Sequence, residues 1–303
     1  MYEAFFGLHE PPFSLTPDTS YFYADSGHLE ALETLLTALQ LGEGFIKLSG
    51  EVGTGKTLLC RMLLDALEAD ECFVTAYIPN PAITPASLRH ALAAELGLTL
   101  PRNTGQHHLI EAINQHLLDQ HRAGRQVVLI IDEAQALSHD CLEALRLLGN
   151  LETGKHKLLQ VVLLGQPELD TRLTRPELRQ LAQRIAFHYR LEALDADAVA
   201  GYLAHRLAVS GHEGASLFSP GLARRLHRVS GGIPRLVNIL AHKTLLAAYG
   251  EGCRRPRNRH LRRAIADTEC LARRTPWARA RGWTAALGAS LAMAGLLWTT
   301  GIG

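Results

Sequence analysis

The sequence predicts an α/β chain: a parallel sheet sandwiched between helices, then an α-helical lid domain, then a single C-terminal transmembrane helix. Three observations predict it. A glycine loop, Gly50-Glu51-Val52-Gly53-Thr54-Gly55-Lys56-Thr57, stands between an apolar run and a helical pattern. Five aliphatic residues, Val127 to Ile131, end in Asp132-Glu133. After residue 193 no strand pattern returns, and the last charged residue is Arg281.

The glycine loop carries the most chemistry. Phe45 to Leu48, broken only by Lys47, reads as a buried strand, and Leu58, Leu59, Met62, Leu63 and Leu67 recur at helical spacing. Strand, glycine loop, helix is the context of a phosphate-binding loop. Glycines let backbone N–H groups turn inward as an anion cradle, and the helix adds its positive dipole end. The run Gly50 to Leu58 is therefore expected to hold the nucleotide. Lys56 would reach the β- and γ-phosphates, and the Thr57 hydroxyl would bind Mg²⁺. ATP and Mg²⁺ are the expected ligands.

Bulk properties frame this site. With 303 residues, 47% hydrophobic and 20% charged, the chain is globular and long enough for about two domains. The net charge of +1 suggests no bulk attraction to nucleic acid or membrane, yet ten arginines between Arg254 and Arg281 face only Asp267 and Glu269. Cys60, Cys72, Cys141, Cys253 and Cys270 form no C-x-x-C pair and show no metal-ligand spacing with histidine, which fits packing residues in a reducing compartment. The start, Met1-Tyr2-Glu3-Ala4-Phe5-Phe6, lacks the basic and apolar regions of a signal peptide. The fifteen histidines are scattered, without a catalytic pattern.

In chain order, residues 1–27 concentrate aromatics and Pro11, Pro12 and Pro17, so an extended segment is expected rather than a regular helix. Its rings either lid the adenine base or simply pack. Asp25 or Ser26 would cap the helix described by His28, Leu32, Leu35, Leu36 and Leu39. Phe73 to Ile78 alternates as a strand; residues 86–96 and 109–118 read as helices. Val127 to Ile131 suits a central parallel strand buried on both faces, with carboxylates at the end where open α/β sheets bind ligands. Asp132 would hold Mg²⁺ and Glu133 would deprotonate the attacking water. Leu158 to Leu164 is a further strand, and Gln166 just beyond it either touches the γ-phosphate or water, or is a strand-end glutamine. Arg172, Arg175, Arg179 and Arg184 follow in a helical stretch; Arg184, or Arg179, would reach a neighbouring subunit's nucleotide, or be a solvated surface group. Residues 195–208, 219–229, 234–249 and 258–272 read as four helices of a separate domain. Pro234 suits the first turn of one, which aims Arg235 either at a phosphate or at solvent.

Trp283 to Gly303 contains no charge and, as a helix, would span about 31 Å, the thickness of a bilayer core. Arg273, Arg274, Arg279 and Arg281 precede it, and Trp283 and Trp298 flank it, the pattern of a span whose preceding body stays in the cytoplasm. Gly288 and Ala292 form a small-x-x-x-small pair. An amphipathic surface helix or a disordered tail are the alternatives. The divisions are an N-terminal segment over the nucleotide site (1–27), an α/β core (28–192), a helical lid (193–272), a basic linker (273–282) and an anchor (283–303).

Together the Gly50–Thr57 loop, Asp132-Glu133, Gln166, Arg184 and Gly232-Ile233-Pro234-Arg235 resemble the functional positions of an AAA+ P-loop ATPase, in order. Phe5-Phe6-Gly7-Leu8, Pro12-Phe13, Thr16-Pro17-Asp18, His28, Asp132-Glu133-Ala134-Gln135 and Gly165-Gln166-Pro167-Glu168-Leu169 narrow the resemblance to the general secretion pathway A (ExeA-like) family, over residues 1–272. Within it the chain looks closer to the short members of mannose-sensitive haemagglutinin (MSHA) pilus clusters. The resemblance implies an oligomeric ATPase that supports assembly of a type IV pilus or type II secretion machine at the bacterial inner membrane. The periplasmic peptidoglycan-binding domain of longer members is not expected here, and Gln166 departs from the Asn, Ser or Thr more usual at the first sensor position. Two other readings remain: a nucleic-acid-handling AAA+ ATPase of initiator or transposition type, whose basic run contacts phosphates, and a non-catalytic nucleotide switch.

Overall fold

The computed structural model describes residues 2–24, 27–101, 104–154 and 156–268. Its strands and helices alternate through the first two thirds of the chain: α1 (Glu3–Phe6), α2 (Gly27–Gln40), β1 (Phe45–Gly50), α3 (Lys56–Glu68), β2 (Phe73–Ile78), α4 (Pro85–Glu95), α5 (Gln106–Arg122), β3 (Gln126–Ile131), α6 (His139–Leu148), β4 (Leu159–Gly165), α7 (Pro167–Leu173), α8 (Arg179–Ala182) and β5 (Ile185–Leu191). The strands form one sheet in the order β2-β3-β4-β1-β5, with every neighbouring pair parallel. The loops that follow all five strands therefore leave the sheet at one margin.

The side-chain period of two splits each central strand between two cores. Val127, Leu129 and Ile131 join Val161 and Leu163 against α4, α5 and α6. Val128 and Ile130 join Ile46, Leu48, Val162 and Leu164 against α2 and α3. Every residue of β4 is buried, as a strand covered on both faces requires. β5 lies at the sheet edge with alternating exposed residues, including His188 and Arg190.

Four helices follow: α9 (Ala196–Val209), α10 (Pro220–Ser230), α11 (Pro234–Gly250) and α12 (Asn258–Ala266). Asp195 caps α9 by accepting from Asp197 and Ala198, and Ser219 caps α10 from Leu222 with Pro220 in the first turn. Gly231, at φ 64°, ends α10 in the left-handed region. Their core gathers Val199, Leu203, Leu226, Val237, Leu240, Leu245 and Leu261.

Three expectations need correction. Residues 1–27 do contain helix: Glu3–Phe6 precede the prolines and form one turn closed by Gly7 at φ 68°. Tyr2, Phe6 and Phe13 are buried in the helical-domain core rather than over the sheet domain. The last helix ends at Ala266, where Asp267 is its C-cap, short of residue 272. α6 and β5 were not foreseen. Among the described residues no helix is long and apolar enough to cross a membrane. The expected cap at Asp25 or Ser26, the basic linker and the span at 283–303 lie outside the described residues.

Candidate nucleotide-binding site

The glycine loop leaves β1 and turns directly into α3. Gly53 and Gly55 adopt φ 84° and 104°, values that other residues rarely take. Lys56 is 5% exposed, and its Nζ donates to the carbonyls of Gly50 at 2.7 Å and Glu51 at 2.9 Å. Burial lowers its pKa, while the nearby Glu133 and Asp132 carboxylates pull it back up. His28 of α2 braces the loop from outside, its Nε2 donating to the Thr54 carbonyl at 2.7 Å. Burial holds His28 below its ordinary pKa.

β3 delivers the acids. Asp132, 3% exposed, accepts from Thr57 Oγ1 at 2.9 Å and from the Glu133 N–H at 2.8 Å. Burial pushes its carboxyl pKa upward, and these two donors oppose the shift. Glu133 sits at φ 53°, the one positive φ outside glycine among the described residues. Such a backbone costs of order 1–3 kcal/mol, and it turns the carboxylate back along the sheet margin. There Gln135 Nε2 and Gln166 Nε2 both donate to Glu133 Oε2, the latter at 3.0 Å. Gln135 Oε1 accepts from the Gln166 N–H at 3.0 Å, and the Gln135 carbonyl accepts from Arg172 Nη1 at 2.7 Å. The β3–β4 pairing makes this possible, because it puts Gln166 beside the Asp132-Glu133 turn.

The helical domain closes the other side. The Arg235 N–H donates to the Gly53 carbonyl at 3.1 Å. A cavity of about 300 Å³ opens there, with Lys56, Thr57 and Glu133 on one wall and Tyr202, Arg206 and Asn238 on the other. Residues 14–18 run along its rim. Arg206 straps that segment down: its Nε donates to the Pro12 carbonyl at 2.5 Å, and its guanidinium lies 4.4 Å from the Tyr21 ring centroid. Three larger hollows, of about 470, 550 and 700 Å³, follow the N-terminal segment, but none is lined by the phosphate loop or by the strand-end acids.

The structure thus brings together Lys56, Thr57, Asp132, Glu133, Gln166 and Arg235. It does not bring Arg184 to them. That residue precedes β5, whose start pairs with Phe45, at the opposite margin of the sheet and about 20 Å along the strands. Arg184 Nη1 donates to the Arg146 carbonyl at 3.0 Å, and Arg179 is exposed. Sequence reasoning gave no role to His28, Gln135, Tyr202, Arg206 or Asn238. Only Asp132-Glu133-Ala134-Gln135 carried a usable signal, because a polar residue three places past a strand end returns to the same margin. Cys253 packs against the helical-domain core, as expected of a packing residue. Cys253 comes together with Glu251 and His260, their ligand atoms all within 4.8 Å of one another. Guanidinium charge already serves that cluster, since Arg259 Nη2 lies 2.7 Å from Glu251 Oε2 and 3.3 Å from Cys253 Sγ.

Residues 39–173 match the AAA domain family. General secretion pathway protein A of Aeromonas hydrophila is 47% identical over 252 residues, which is 83% of this chain and 46% of that protein. The chain therefore spans under half the length of that relative. Among solved structures, Cdc6p of Pyrobaculum aerophilum superposes with a TM-score of 0.65 at 18% identity, over 84% of this chain and 70% of that one. The ORC2 protein of Aeropyrum pernix, in ADPNP-ADP complexes, gives 0.63 at 17% identity, over 85% and 71%. The RuvB branch-migration motor of Thermotoga maritima gives 0.52 at 16% identity, over 79% and 67%. At these identities the structural matches speak for the fold alone.

Proposed function

This chain is an ExeA-like AAA+ protein, related to general secretion pathway protein A, and from that premise we propose that it hydrolyses ATP with Mg²⁺ to support assembly of an inner-membrane machine, an MSHA-like type IV pilus or a type II secretion system. The observation that carries the catalytic part is the convergence of Lys56, Thr57 and Glu133 on one cavity wall, with Asp132 hydrogen-bonded to Thr57 behind it. The donor set suits a hard divalent cation: a hydroxyl and a buried carboxylate 2.9 Å apart, the carboxyl pKa raised by burial. Thr57 and Asp132 would hold Mg²⁺, which would neutralise phosphate charge when bound.

The chain's own residues supply the rest. Lys56 exchanges its two carbonyl partners for phosphate oxygens. Glu133, fixed through Oε2 by Gln135 and Gln166, offers Oε1 to take the proton from the attacking water. Arg235 links the lid to the glycine loop, so lid position and phosphate occupancy are coupled. Arg184, far from its own subunit's cavity, acts on a neighbour's nucleotide in an oligomer. The uncharged run 283–303 tethers the body to the membrane from the cytoplasmic side. A nucleic-acid-handling role gains no specific support at this site.

The test is ATP turnover by purified full-length protein beside its Lys56→Ala variant. Wild-type turnover lost in the variant supports the reading; equal turnover in both rejects it.

A further inference from the structure

The helical lid carries a charge surface that the nucleotide site does not use. Residues 1–192 contain 24 acidic and 15 basic side chains; residues 193–303 contain 6 acidic and 16 basic ones. Six of those sixteen lie on two helices that touch each other, α10 and α12. Each is amphipathic, and each turns arginine outward. α10 buries Leu222, Ala223, Leu226 and Ser230 while exposing Arg224 and Arg228, and it contains no acid. α12 buries His260, Leu261 and Ala264 while exposing Arg259, Arg262 and Arg263. The turn before α12 exposes Arg254, Arg255 and Arg257. Glu251 pairs with Arg259 and Arg263, and Asp267 pairs with Lys243. Among the described residues, Arg224, Arg228, Arg255 and Arg262 have no carboxylate within ion-pair distance.

We propose that this α10–α12 face docks on a bilayer rich in anionic phospholipid, and so fixes how the lid sits on the membrane surface. The proposal rests on the membrane-tethered reading above. Guanidinium groups match phosphodiesters with paired N–H donors and give up hydration readily. α10 and α12 carry no Phe, Tyr or Trp, and the neighbouring Phe5 ring is already packed against Tyr249 and under Arg254, so the face offers phosphate contacts rather than a platform for stacking bases. The chain also continues from α12 through Arg273, Arg274, Arg279 and Arg281 to the uncharged run at Trp283. The sixteen residues from 267 to 282 reach at most about 55 Å, so the arginine face cannot leave the neighbourhood of a membrane holding that run. At that range, basic side chains close to an anionic leaflet each strengthen contact about fivefold, an effect that salt screens.

The experiment uses the full chain reconstituted into vesicles of phosphatidylcholine alone, or with 30% phosphatidylglycerol. Carbonate extraction reports whether the chain is anchored, and tryptic cleavage at Arg254 and Arg257 reports whether the face is covered. The expected result is at least a tenfold slowing of cleavage in the anionic vesicles, reversed by 0.5 M NaCl. It should be absent in an R224E/R228E/R262E variant that keeps the cleavage site and unfolds at the wild-type temperature. Equal cleavage in both vesicles, with the chain anchored, overturns the proposal and leaves the tether standing. A chain extracted by carbonate sinks the tether; co-flotation of that chain with anionic vesicles alone still supports the face, and its absence overturns it. Protection in neutral vesicles that grows with protein density, or that appears only on adding duplex DNA, assigns the face to a second copy or to nucleic acid and overturns the proposal.

Discussion

Gln166 Nε2 lies 3.0 Å from Glu133 Oε2, the same oxygen that Gln135 engages, so two amides from different loops hold one side of a single carboxylate. If Glu133 is the base, each amide orients it without touching substrate. Gln135→Leu and Gln166→Leu should each lower kcat about tenfold, the worth of one orienting hydrogen bond, with KM unchanged. Glu133→Gln should lower kcat by 10² or more while ATP binding persists. Because both amides serve one group, the double variant should lose less than the product of the single losses. Steady-state kinetics and a binding titration check all four.

The buried Asp132 carboxylate is costly until a cation arrives. Asp132→Asn should abolish turnover and remove any Mg²⁺-dependent rise in melting temperature. The same change should stabilise the ligand-free protein by about 1 kcal/mol, because it removes a desolvated charge while its neighbours keep polar partners. Denaturant unfolding with and without Mg²⁺ tests both directions.

A methyl group on Gly53 would meet Arg235 Cβ at 2.6 Å, with φ at 84°. Gly53→Ala should therefore part the loop from the lid and weaken nucleotide binding more than tenfold. Gly42, at φ 78° but with open space around it, is the control: Gly42→Ala should cost about 1–2 kcal/mol of stability and leave binding intact. A Gly53→Ala protein that binds nucleotide normally would show that the Arg235 contact is incidental.

His28 is held below its ordinary pKa of 6.5 by burial, so the folded state prefers the neutral ring. Its contribution to stability is complete above about pH 6.5 and is lost as pH falls through the lowered folded value. Nucleotide affinity and melting temperature should therefore drop between pH 7 and pH 5. Gln can still donate to the Thr54 carbonyl but does not titrate, so His28→Gln should flatten part of that drop. His242, also depressed by burial, adds to the loss of melting temperature in the same direction.

The sheet and its loop were legible because buried parallel strands are unbroken aliphatic runs and phosphate loops need glycine. Val127 to Ile131 and Gly50 to Thr57 leave little else to be. β5 was not legible, since Ile185 to Leu191 mixes His188 and Arg190 with apolar residues, as an edge strand does. α6 was missed although Ser138 caps it by accepting from Cys141 at 3.1 Å. Of the site, residues adjacent to a motif could be read. Arg206 and Tyr202 could not, because their positions depend on where the lid packs, which no local pattern encodes. Arg235 was read from Pro234, which fixes the start of α11 whatever lies opposite it.

The N-terminal segment joins what the chain order separates. Tyr2, 1% exposed, donates or accepts at His242 Nδ1 across 240 positions, and Phe6 and Phe13 share the core of α9 and α11. Farther along, the Pro17 carbonyl takes a hydrogen bond from Arg61 on α3. Deleting residues 2–13 would thus not trim a tail but hollow out the C-terminal bundle, and a fusion partner at that end would press on a closed hydrophobic interior. Purification handles belong elsewhere, and fragments begun at residue 28 should melt early even though every motif of the loop and the strand ends is still present.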